Sequence, residues 1–196
     1  NMLASADGNV SFRLSDDEIL ITPSGISKAM MNREDLCLID LNNKILKGNP
    51  STEKLMHLEV YRKCPEIKAV VHAHPPTAVA FTIAKPELKE IPAGAMSEVI
   101  LACGSIPIVP YARPGSLDMG TKLHSFLEKS RVMILARHGA LSVGEDLEEA
   151  YLGMERLEHA CEILFKASAL GGITLLPDEE IQALKDMRAK MEKRTL

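Results

Sequence analysis

The sequence predicts an α/β fold in which a mixed sheet is covered by helices. Three observations point there. The first fifty or so residues hold short β-type runs separated by turn residues. From residue 69 onward, apolar strand-like runs alternate with segments of helical period. No internal repeat, low-complexity tract or linker-like shift interrupts the 196 residues, so a single domain over 1–196 is expected.

Taken in order, "NVSFRL" and "EILITP" are short β runs joined through "SDD", a hairpin-like connection. "LCLIDL" is a third apolar run, and "NNKILKGNP" supplies a turn and another short strand. "STEKLMHLEVYRKCP" changes period: Leu55, Leu58 and Tyr61 recur at helical spacing, Ser51 or Thr52 can cap the start, and Pro65 marks the end. "AVVHAH" reads as a buried strand, and "TAVAFTIA" as a short apolar helix after the Pro75–Pro76 break. "SIPIVPYA" is a strand, "DMGTKLHSFLEKS" one helix, and "RVMILARHG" another buried strand. A long amphipathic helix follows over 146–170, ended by Gly171 and Gly172.

Charge and composition exclude several function classes. The net charge is −4, with no Lys/Arg cluster interleaved with aromatics, so nucleic acid is not expected as a partner. The one basic stretch, "KDMRAKMEKR", alternates with apolar residues like a solvated helix face. No apolar run reaches membrane-span length, and the first residues lack a signal-peptide pattern. Cys37, Cys64, Cys103 and Cys161 are scattered, which suits reduced, buried thiols rather than a disulfide framework. A cytoplasmic protein with no membrane partner is the expectation.

The chemistry concentrates on histidine. Strand side chains alternate faces, so His72 and His74 point the same way, at a strand terminus where pockets of α/β proteins open. His138 repeats the placement after a second apolar strand, and Gly139 would let the backbone turn sharply beside it. Three imidazoles with an open position make a zinc-type catalytic site, although residue types alone leave cobalt, manganese or iron open. His57, His124 and His159 lie on helices and read as structural or surface residues. Glu53, in the first turn of a helix, reads on its own as a carboxylate complementing the macrodipole. "DGNVS", "TPSGIS" and "NPSTE" are small-residue loops of the kind that admit an anion; singly, each is a turn. GxxxxGK[ST], GxGxxG and GxSxG are all absent, which argues against nucleotide cradles and serine hydrolases.

In order, "GNVS", "TPSG", "PSTE", "VVHAHP", "PYARPG" and "ARHG" resemble the class II aldolase/adducin family, nearest in pattern to its aldolases acting on L-fuculose 1-phosphate. The resemblance implies a largely antiparallel central sheet with helices on both faces, a three-layer sandwich. It implies zinc on His72, His74 and His138, acid/base duty for Glu53, and a sugar-phosphate site at Gly8, Asn9, Ser24, Gly25, Ser51 and Thr52. Tyr111 would reach a neighbouring subunit's site within a homotetramer and serve the aldehyde oxygen. The implied reaction is retro-aldol cleavage of a ketose 1-phosphate to dihydroxyacetone phosphate and an aldehyde. Sugar-phosphate 4-epimerases, methylthioribulose-phosphate dehydratases and decarboxylases share the scaffold, as does the non-catalytic adducin head. The epimerases usually carry aspartate where Glu53 stands. Two departures from the pattern stand out: family members carry a helix ahead of "GNVS" that this sequence lacks, and "PDEEIQALKDMRAKMEKRTL" has no tyrosine.

Overall fold

The computed structural model describes residues 2–191. Nine strands form one sheet: β1 (Asn9–Arg13), β2 (Glu18–Ile21), β3 (Cys37–Asp40), β4 (Ile45–Lys47), β5 (Ala69–Ala73), β6 (Glu90–Ile91), β7 (Ile106–Val109), β8 (Val132–Leu135) and β9 (Gly139–Gly144). Their spatial order is β4-β3-β2-β1-β5-β9-β8-β7-β6. Only the β7–β8 pair is parallel, so the sheet is mixed and mostly antiparallel, as expected.

The helices are α1 (Lys54–Lys63), α2 (Pro76–Ala84), α3 (Ser97–Ala102), α4 (Leu117–Thr121), α5 (His124–Leu127), α6 (Leu147–Ala169) and α7 (Asp178–Ala189). Two apolar clusters show how they divide. Met56, Leu58 and Tyr61 of α1 join Met119 and Leu123 on one face of the sheet, while Ala150, Met154 and Leu157 of α6 pack on the other. Period-two alternation along β5 sends Val70 to the α1 side, and Ala69, Val71 and Ala73 to the α6 side. His72 shares the parity of Val70, so the strand aims it at α1. Asn9 of β1 lies directly opposite His72 in the ladder, and Ser11 opposite Val70. The central strands thus carry a polar strip under the start of α1.

Several local expectations are corrected. The segment 118–130 is two short helices, α4 and α5, instead of one. Gly120 and Thr121 are weak helix formers, and the break between them and His124 lets both Leu123 and Leu127 bury. Helix α1 begins without a Ser or Thr cap: Glu53 occupies the cap position, and Ser51 Oγ accepts from the Glu53 N–H at 3.3 Å. The sharp turn before β9 falls at Arg137, whose φ of 58° is left-handed, and Gly139 is already in strand. Helix α6 starts as expected, Asp146 accepting from Glu149 N, and ends ahead of Gly171. All four cysteines are buried and free. No helix among the described residues is long and apolar enough to cross a membrane. Part of the basic C-terminal stretch lies outside the described residues; the part inside is mainly α7, which buries no residue.

Candidate active site

His72 and His74 leave the end of β5 on one side, and the Arg137 turn delivers His138 beside them. The three ring centroids lie 4.8–5.0 Å apart, and one ligating atom from each falls within 4.8 Å of the others. Close backbone approach makes this convergence possible. A Cβ on Gly139 would sit 2.5 Å from the Ala73 carbonyl oxygen and 2.8 Å from ring carbons of both His72 and His74. Gly8, at φ 70°, similarly lets its loop lie against the backbone of His72, where a Cβ would meet the carbonyl oxygen at 2.7 Å.

Hydrogen bonding fixes how the rings face. His72 Nδ1 donates to the Ala140 carbonyl at 2.8 Å, leaving an unshared pair on Nε2. His74 Nδ1 lies 3.4 Å from Asp7 Oδ2, and burial together with His72 and His138 presses its pKa below the ordinary histidine value. Its Nε2 therefore also presents an unshared pair, 3.2 Å from that of His72. Two such pairs facing each other repel unless a cation lies between them. Buried His138 Nδ1 makes no hydrogen bond. This donor set fits a divalent metal ion, since neutral imidazoles oriented from behind by a carbonyl or carboxylate are what such ions take.

Glu53 stands over the triad. Its Oε1 is 3.2 Å from His138 Nε2 and its Oε2 3.3 Å from His72 Nε2, while Asn9 Nδ2 donates to Oε2 at 2.8 Å. Burial alone would raise the carboxyl pKa. The His138 and His72 imidazoles crowding it and the Asn9 amide outweigh that and hold the group far below the usual carboxylate range. The macrodipole role read for Glu53 in isolation accounts for none of these partners.

A cleft of about 430 Å³ opens next to the triad. The three small-residue loops meet there: Gly8 and Asn9 from the first, Ser24 and Gly25 from the second, Ser51 and Thr52 from the third. His74, His138 and Glu53 line its floor, whereas His72 is buried behind them. Tyr111 does not join them; it is 55% exposed on the loop after β7, although Pro114 and Gly115 of that loop reach the cleft. A larger cleft of about 520 Å³ beside α3 and α6 shares no residue with the triad.

Two residues escaped the sequence reading. Lys28 lines the cleft, its Nζ donating to the Ala6 carbonyl; burial lowers its pKa while Asp7 and Glu53 oppose the shift. His57, read as structural or surface, is fully buried one bond away from Asn9. A signal for it existed: Glu53, His57 and Tyr61 recur every four residues, on one face of α1. His159 is exposed, and His124 sits outside the cluster on α5.

Over residues 1–165 the chain matches the class II aldolase and adducin N-terminal domain model. An L-fuculose phosphate aldolase of Methanococcus maripaludis is 35% identical over 161 residues, spanning 82% of this chain and 86% of the relative. A 3-oxo-tetronate 4-phosphate decarboxylase of Haemophilus influenzae is 32% identical over 185 residues, spanning 91% and 86%. The crystal structure of YgbL from Escherichia coli, described as a candidate aldolase/epimerase/decarboxylase, aligns with a TM-score of 0.86 at 30% identity, covering 94% of this chain and 89% of that one.

Proposed function

Because the chain belongs to the class II aldolase and adducin N-terminal domain family, we propose that it is a zinc-dependent lyase performing reversible retro-aldol cleavage of a ketose 1-phosphate, of the L-fuculose 1-phosphate kind, to dihydroxyacetone phosphate and an aldehyde. The observation that carries the reading is the convergence of His72, His74 and His138 beneath the Glu53 carboxylate. A zinc ion held by the three histidines supplies Lewis-acid stabilisation for negative charge developing on the substrate's carbonyl oxygen.

The chain's own residues do the rest. Gly8, Asn9, Ser24, Gly25, Ser51 and Thr52 hold the phosphate, so binding energy remote from the reacting bond positions that bond. Lys28 adds a cation at the same cleft. During cleavage the hydroxyl proton of the aldehyde half leaves to solvent as the carbon–carbon bond breaks. Glu53, ionised at rest, relays a proton from solvent to the carbon of the three-carbon fragment; condensation runs the same transfers in reverse. For that, the carboxylate leaves Asn9 and the imidazoles and turns toward substrate. Tyr111 is exposed and outside its own cleft, which supports a role at a neighbouring copy's aldehyde oxygen within a homotetramer. Residues 1–196 are read as one domain.

A second reading is favoured by the decarboxylase relative and by Lys28, since a fixed cation suits a substrate with a second anionic group. One experiment separates the two. The zinc-loaded protein is given deoxyketose 1-phosphates and 3-oxo acid phosphates, with dihydroxyacetone phosphate and carbon dioxide measured in parallel. Chelator-sensitive release of dihydroxyacetone phosphate and an aldehyde from a deoxyketose 1-phosphate, with no carbon dioxide from the 3-oxo acid phosphate, is the expected result. Glu53→Gln should keep bound zinc but lower kcat roughly 10²–10⁴-fold, the usual worth of a positioned acid/base group. Carbon dioxide released from the 3-oxo acid phosphate, whose decarboxylation itself leaves a ketone phosphate, with no cleavage of any deoxyketose 1-phosphate, establishes the second reading and overturns the first.

A further inference from the structure

A buried chain of hydrogen bonds runs from Glu53 into the protein interior. Asn9 Nδ2 donates to Glu53 Oε2 at 2.8 Å, Asn9 Oδ1 meets His57 Nε2 at 2.5 Å, His57 Nδ1 meets Ser11 Oγ at 2.6 Å, and Ser11 Oγ meets Tyr61 OH at 2.7 Å. Asn9, Ser11, His57 and Tyr61 are all at most 3% exposed. The spacing is built in: Asn9 and Ser11 are two apart on β1, His57 and Tyr61 four apart on α1, and both intervals advance by similar distances along their elements.

Chemistry dictates the direction of every bond. An ionised carboxylate only accepts, so the Asn9 amide must turn its NH2 to Glu53 and its oxygen to His57. That oxygen only accepts, so His57 carries its proton on Nε2. Deep burial keeps the ring neutral, its pKa pushed down to about 3. Nδ1 is then an acceptor and Ser11 donates to it. Ser11 in turn accepts from Tyr61, whose 3.4 Å approach to the Lys68 carbonyl is the long branch of the same donor. Four donors therefore point one way, toward the reaction centre.

We propose that His57 is a positioning residue: backed by Ser11 and Tyr61, its Nε2–H locks the Asn9 amide so that the NH2 faces the cleft, holding Glu53 at rest and meeting the substrate's anionic group once Glu53 turns away. The last clause rests on the function proposed above; the locked orientation does not. Without the Nε2–H, the Asn9 amide is free to rotate and present its oxygen to a carboxylate or phosphate, a repulsive contact.

The test compares His57→Gln, whose amide NH2 can occupy the Nε2 position, with His57→Leu, which has no donor. Ser11→Ala and Tyr61→Phe are added in case the leucine variant does not fold. Histidine side-chain 15N NMR of the zinc-loaded protein, with the His57 signal assigned by its loss in His57→Gln, should report a neutral Nε2–H tautomer that Ser11→Ala perturbs. In assays, His57→Leu should lose about 10–100-fold in kcat/KM at unchanged zinc content, as when partners that orient a ligating group are removed. His57→Gln should recover most of it, and Tyr61→Phe should lose least. An Nδ1–H tautomer, equal losses for Gln and Leu, or full activity in a folded His57→Leu each overturn the proposal. If the wild type has no lyase activity, the function reading fails, while the tautomer measurement still decides the orientation of Asn9.

Discussion

At the scale of single residues, the neutral His57 ring makes stability depend on pH. Burial pushes its pKa down to about 3 against the opposing charge of Glu53. The unfolded chain binds a proton at the ordinary histidine pKa of about 6.5, whereas the folded one refuses it until about 3. The contribution is therefore complete above pH 6.5 and is lost as pH falls toward 3, at up to about 1.4 kcal/mol per pH unit. Urea midpoints between pH 7 and pH 5 should fall less steeply for His57→Gln than for the wild type; parallel slopes would show that His57 accepts a proton in the fold. What the sequence disclosed at this scale follows from period. The two-residue interval of His72 and His74 forces a shared side of the strand, so the pair was legible without coordinates. Lys28 was not, because a lysine three residues past a turn carries no mark of where the loop folds back.

Among elements, the close pairing of β5 with β9 holds the imidazoles together. Gly139 is the contact point: any side chain there meets the Ala73 carbonyl and two histidine rings. Gly139→Ala should destabilise the fold by about 1–3 kcal/mol, as overpacking does. It should also weaken zinc binding by about 10-fold or more by displacing His72 and His74. Thermal denaturation and zinc competition titration measure the two effects, and a variant that loses stability yet binds zinc normally would remove Gly139 from the site. Strands β1, β2, β3 and β5 were legible as apolar or alternating runs. Strand β9 was not, because "GALSVG" opens and closes on glycine and carries little β signal of its own. Its strand character comes from the partners on either side, β5 and β8. The segment 118–130 misled in the opposite sense: its period is helical, but burial of Leu123 and Leu127 decides where it bends.

For the molecule as a whole, metal binding and folding are linked. The three ligands come from positions 72, 74 and 138 and meet only when β5 and β9 are paired. A metal at about 1,000 times its Kd stabilises such a fold by about 4 kcal/mol, which for a domain of this size is about 10 °C in Tm. Chelation should lower Tm by that amount and zinc should restore it; an unchanged Tm would mean the triad holds no tightly bound ion. The sheet order itself lay beyond the sequence, because pairing β1 with β5 and β5 with β9 depends on contacts dozens of residues apart. The two margins of that sheet carry a last consequence. β4 is three exposed residues ending on Lys47, and β6 is two residues followed at once by Pro92. Neither margin offers a flat row of free amides and carbonyls for another copy to zip onto. Such short, exposed and proline-bounded margins disfavour fibre-like growth through strand addition.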